Sequence, residues 1–253
     1  MEYFVQESSI VRKIWGKSDT ILFVFAGASA EFALNKAVDW LYFTSKLPMD
    51  PLGRLFSTVS YAKQIVFAKE KEAFATIDRI SHIHNAVEQA RGARIPDWAY
   101  RDVLYMLIHY SVASFELLER KLNTEEKDDL YDVFYRIGIR MHIPDLPETY
   151  EDWLSDRQLH LEKDLWNGVH TKDLFNQYRK HLGAFRFRLL SEGQKLVVPK
   201  TVKRLLEMSN TSLLVPLLKL YTLSKILRLD WGLKSLLLPR AYLPQIRALD
   251  QVN

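Results

Sequence analysis

Apolar residues recur at intervals of three and four along almost the whole chain, and apolar–polar alternation bounded by turn residues is scarce. The first period marks a helix with one buried face, the second a half-buried strand, so an all-α protein is expected. Helices are predicted near 8–15, 19–45, 52–68, 70–91, 97–122, 125–141, 148–165, 171–190, 199–209 and 212–229, with a short terminal one near 231–238. Punctuation residues support the middle boundaries. Pro51 suits a first helical turn, Gly92 follows a last periodic residue, and Pro96-Asp97 puts an acid at a helix start. Asn123 or Thr124, followed by Glu125 and Glu126, caps the next helix, and Pro144 and Pro147 make a rigid corner between two more.

With 253 residues and 48% hydrophobic content the chain can bury a large core, and nothing in it forces a second domain. We therefore expect one helical domain over 1–253, with 1–18 as an N-terminal extension. The absence of cysteine excludes disulfides, iron–sulfur clusters, thiolate ligation and cysteine nucleophiles, leaving His, Asp, Glu or Tyr to hold any metal. A net charge of +4 without a basic block or an RNA-binding motif argues against nucleic acid. The start, Met1-Glu2-Tyr3-Phe4-Val5-Gln6-Glu7, carries acids where a signal peptide carries bases, and the apolar run 21–34 is too short for a span and contains Glu31. A cytoplasmic protein without export signal or transmembrane helix is the expectation. The leucine-rich, basic C-terminal third fits a core helix with a solvated polar face better than a helix lying on a membrane surface, the second reading.

Helical phase singles out candidate chemistry. Residues two apart on a helix project about 200° from each other, so His82 and His84 cannot share a site. His84 continues the buried stripe Ala73, Ile77, Ile80, Val87, whereas His82 falls with Asp78 and Arg79 on the polar side. His84 is then either a ligand or a core histidine satisfied by a backbone carbonyl. Arg54 and Thr58, at i and i+4, share a face with Tyr61; the arginine faces either an anionic ligand or a neighbouring acid such as Asp50. His109 lies in a stripe with Tyr105, Val112 and Glu116, either orienting a pocket group or bonding across helices. Glu31 and Asp39 are the candidate catalytic acids, Glu31 the more interesting because a lone carboxylate in an apolar run is costly or shifted in pKa. No histidine has a glutamate three residues before it, which excludes a carboxylate di-iron bundle, and His160-Leu161-Glu162 diverges on a helix, so it reads as coincidence.

The segments 50–58 (Asp-Pro-Leu-Gly-Arg-Leu-Phe-Ser-Thr), Ile83-His84-Asn85-Ala86-Val87, Leu107-Ile108-His109 and Tyr135-Arg136-Ile137-Gly138 resemble, in order and spacing, the rubber oxygenase and mycophenolic-acid oxygenase (MpaB) catalytic domain family. Looser matches continue to Leu227–Gly232 and Leu243–Arg247, so the resemblance covers roughly 27–250. It implies a globin-like helical core that holds haem b, its iron ligated by His84, with Arg54 and Thr58 shaping the distal side and His109 in the pocket. It further implies O2-dependent cleavage of a carbon–carbon double bond in an isoprenoid or related apolar substrate. The family pattern Arg-x-x-Lys-Thr reads Arg54-Leu55-Phe56-Ser57-Thr58 here, so Ser57 removes a cation that can occupy or guard the distal side. The rival expectation, favoured by Ser57, is a non-catalytic helical protein of the same fold that binds a lipid or a partner helix.

Overall fold

The computed structural model describes residues 2–44, 49–218, 221 and 250. Among them the chain is all-α, as its periodicity predicts, and no strand occurs beyond isolated antiparallel bridges at Tyr3–Lys69 and Asn35–Leu165. The helices are α1 (Ile10–Trp15), α2 (Ser18–Leu34), α3 (Val38–Phe43), α4 (Pro51–Val66), α5 (Glu70–Arg91), α6 (Asp97–Leu118), α7 (Thr124–Arg140), α8 (Tyr150–Lys163), α9 (Val169–Val197) and α10 (Lys200–Leu205). None of the described helices is long and apolar enough to cross a membrane.

The predicted stops and starts come from local chemistry. The Asp50 carboxylate accepts from the Gly53 amide and Pro51 occupies the first turn of α4. Asn123 and Glu126 form a reciprocal capping box on α7, and Gly92 ends α5 in the left-handed region at φ 68°. The helices expected to reach 122 and 209 stop four residues early, at Leu118 and Leu205, and two departures are larger. The helix predicted over 19–45 breaks after Leu34, because the Asn35 side chain accepts from the Ala37 amide and donates to Asp102, turning the chain out of the helix. The helix predicted over 171–190 runs on to Val197 but is interrupted at Gly183, whose φ of 73° lies outside helical space. Of the helix expected at 212–229 the described residues include 212–218, helical from Leu214, and Tyr221; the rest of it, the helix expected at 231–238 and the membrane contact expected of them lie outside the described residues.

Helix α2 is apolar on nearly every side and is accordingly the central, buried element. It packs most intimately against α6, with α9 on another side. The first residues are part of this core: Phe4, Val5, Ile14 and Trp15 are buried, and Asp129 of α7 accepts from the Ser9 hydroxyl and the Ile10 amide. Closest approach occurs at Gly27 of α2, where a Cβ would enter the ring of Tyr110 on α6. Because the Tyr110 hydroxyl is tied to Glu31, the ring cannot swing aside. Gly27→Ala is expected to destabilise by about 1–3 kcal/mol, the usual cost of overpacking, readable as a lower midpoint in urea unfolding. An unchanged midpoint would show that the ring moves freely.

Candidate functional site

The residues picked out by sequence fall into two groups. In the first, α4 packs against α5, and Arg54 comes near enough to His84 for its charge to act on the imidazole. Arg54 Nη1 donates to Ser57 Oγ at 3.2 Å and to Thr58 Oγ1 at 3.4 Å, and both hydroxyls donate back to the Arg54 carbonyl. The guanidinium is thus held by its own helix. Burial lowers the Arg54 pKa and only the Tyr61 hydroxyl works against that, so no carboxylate compensates the cation among the described residues. Asp50, the acid expected to pair with it, is spent on the helix cap.

Burial, reinforced by the Arg54 charge, pushes the His84 pKa down to about 4 against the opposing pull of Glu88, so the imidazole is neutral at physiological pH. Its Nδ1 is buried and has no hydrogen-bond partner. Among the described residues, then, no backbone carbonyl holds His84 Nδ1 as it would in a structural core histidine. The Tyr100 ring of α6 stands edge-on at 5.2 Å, and its hydroxyl donates to Glu88, which also accepts from the Ile95 amide. Helix α5 fully buries only Ala73, Thr76 and Ile77, all in its first half. Around His84, therefore, Ile80 and Val87 are only partly buried and Ile83 is exposed, which leaves an apolar face accessible beside a neutral nitrogen. His82 is exposed, with Nδ1 2.7 Å from the Asp78 carbonyl.

The second group surrounds Glu31. Arg157 grips it with both nitrogens, Nη1 to Oε1 at 2.8 Å and Nη2 to Oε2 at 2.6 Å, and the Tyr110 hydroxyl donates to Oε2 at 2.7 Å. Burial alone would raise the Glu31 pKa, but the Arg157 charge and bonds, with Tyr110, carry it below the ordinary value. An ionised carboxylate with both oxygens engaged is a counter-ion, and the geometry gives Glu31 that part in place of a general base. His109 belongs here and not beside His84: burial and Arg157 push its pKa to about 4 against Glu31, it bonds the Val197 backbone, and its Nε2 is buried without a partner. Asp39 is half-exposed and pairs with Arg91 at 2.5 Å.

A third group was not anticipated. His160 of α8 is buried among Asp102 of α6 and Asp164 just beyond α8, with Asp156 one turn earlier. Burial works against the charged imidazole, yet contact with Asp102 and the charges of Asp156 and Asp164 raise the His160 pKa. The spacing Asp156, His160, Asp164 at i−4, i, i+4 puts all three on one helix face and was visible in the sequence. Asp102 and its partner Asn35 come from far along the chain and left no such signal.

The family described as ER-bound oxygenase mpaB/B'/rubber oxygenase, catalytic domain, matches residues 13–241. No curated protein and no solved structure matches the chain.

Proposed function

The chain belongs to this oxygenase family, and on that premise we propose that it is a haem b-dependent oxygenase that cleaves a carbon–carbon double bond of an isoprenoid or related apolar chain. The observation that carries the reading is the pairing of a neutral, partnerless His84 with an Arg54 guanidinium that no carboxylate compensates. Both residues fit the group. A haem needs a neutral axial imidazole in dry surroundings and a cation or donors for its carboxylates. His84 would ligate the iron, while Arg54, held by the Ser57 and Thr58 hydroxyls, would face a propionate or polarised oxygen. Bound haem supplies the activation of dioxygen. The rest falls to the protein: Ile80, Ile83 and Val87, on the helix of His84, would give the porphyrin an apolar wall, and Tyr100 braces the imidazole edge. In the overall reaction each carbon of the double bond takes one atom of O2 and becomes a carbonyl, with no other reductant needed.

Haem-loaded protein given a polyprenyl chain should consume one O2 for each double bond lost and yield aldehyde or ketone ends. Haem-loaded protein that binds the chain but consumes no O2 would sink the catalytic reading in favour of lipid binding.

Ser57 adds a contrast within the same site. With a hydroxyl here, small ligands should reach the open iron position without displacing a side chain. Ser57→Lys places a second cation beside Arg54, removes one of its acceptors and offers a competing amine. Imidazole titrated into the two haem-loaded proteins should bind the variant roughly tenfold more weakly, about 1.4 kcal/mol. Equal affinities would place Ser57 away from the iron.

A further inference from the structure

The group around His160 has geometry that hydrogen bonding does not explain. His160 Nδ1 lies 2.7 Å from Asp102 Oδ1 and 2.8 Å from Asp164 Oδ2, and the two carboxylate oxygens and the ring nitrogen all lie within 4.8 Å of one another. One ring N–H cannot point at both oxygens. Here it lines up with neither, for both Nδ1 and Asp164 Oδ2 are buried without a hydrogen-bond partner. The side chains are well enclosed, His160 at 9% exposed and Asp102 and Asp164 at 5% each. Nδ1 and two carboxylate oxygens therefore converge inside the protein, with at most one ring proton among them, in a geometry that no straight hydrogen bond accounts for.

Charge argues the same way. Two buried carboxylates and a third at Asp156 surround a single imidazole, and even a protonated ring offsets only one of them. Lys36 and Lys163 reach the group only as exposed side chains, where water screens them. A buried surplus of negative charge is costly, and a bound proton or a coordinated cation relieves it.

We propose that Asp102 Oδ1, His160 Nδ1 and Asp164 Oδ2 form a binding face for a divalent cation of the manganese and ferrous-iron class, separate from the His84 site. With the bond lengths of about 2.0–2.2 Å that zinc makes to nitrogen and carboxylate oxygen as a guide, donors 2.7 and 2.8 Å apart subtend about 80° at the metal, nearer an octahedral than a tetrahedral angle. The remaining positions are left to water. The surroundings are those of a metal site. The Asn35 amide donates to Asp102 Oδ2 at 2.6 Å and fixes that carboxylate, while His160 Nε2 faces Asp156 Oδ2 at 3.7 Å, itself held by the Tyr105 hydroxyl at 2.6 Å. Entry is through a cleft of about 460 Å³ lined by Trp98, Arg101, Asp156, Leu159, His160 and Asp164. An ion here would tie the end of α8 to α6 and, through Asn35, to the end of α2. The proposal does not rest on the oxygenase reading.

Manganese alone is the probe, because its bound fraction loses the sharp aqueous EPR signal and cannot be confused with haem iron. Chelator-treated full chain should take up one Mn2+ saturably and show a higher Tm as Mn2+ is added. Asp164→Asn and Asp102→Asn should each weaken uptake by at least about 100-fold, the upper end of what loss of an outer-shell partner costs, and abolish the Tm rise. Glu162→Gln, an exposed carboxylate at the cleft, should change neither. Uptake that survives both ligand substitutions overturns the proposal. Should a variant fail to fold, the wild-type titration decides alone, and the lack of a saturable one-per-chain component overturns it.

Discussion

A single Arg157→Met substitution is expected to cost about 3–5 kcal/mol of stability, because it strands an ionised carboxylate in the core. Glu31 is 2% exposed, sits in the central helix α2, and among the described residues has Arg157 as the cation bound to its two oxygens. Glu31→Leu should cost as much by stranding the guanidinium. The double variant Glu31→Leu, Arg157→Met should recover most of the loss, since two apolar groups of similar volume need no compensation. Urea unfolding of the four proteins gives the cycle; additive losses would contradict the pairing. The pair also has a pH signature. The Glu31 pKa is held below its ordinary 4.5, so its contribution is complete above that value and disappears as pH falls through the lower, folded-state value. The double variant should lose less stability than wild type across that acid window, and a parallel loss would assign acid unfolding to other carboxylates.

His84→Ala is expected to abolish retention of haem, and His82→Ala to leave it nearly unchanged. The two side chains differ in phase on one helix: His84 turns its neutral ring toward Arg54 and Tyr100, whereas His82 is exposed and tied to the Asp78 carbonyl. If His84 is the axial ligand as proposed, its loss removes the bond that would hold the iron, while an exposed ring two residues away would hold nothing. The ratio of Soret to protein absorbance after hemin loading and gel filtration measures both. Equal loss in the two variants would contradict the assignment of His84.

What the sequence disclosed follows the range of the interactions. Helical type, the caps at Asp50, Asn123 and Gly92, and the inward turn of His84 against the outward turn of His82 all depend on neighbours within a few residues, and periodicity carries them. The break at Asn35 was hidden because apolar spacing continues across it, and the amide that turns the chain answers to Asp102, 67 residues away. Glu31 stood out as an acid in an apolar run. Its function as counter-ion was not legible, since Arg157 lies 126 residues on. His109 shares the helix of Tyr100 but joins the Glu31 group, a matter of which helices pack together and not of local spacing. The His160 group was half visible, as three residues on one helical face, and its convergence needed Asp102 from another helix.

Whether a neutral imidazole with no partner at Nδ1, beside a guanidinium that no described carboxylate compensates, holds haem is tested most directly by a hemin titration of the purified chain. A Soret band that saturates near one haem per chain, and is absent from His84→Ala, is the predicted result. A folded chain that takes up no hemin, or takes it up equally well without His84, would contradict the account.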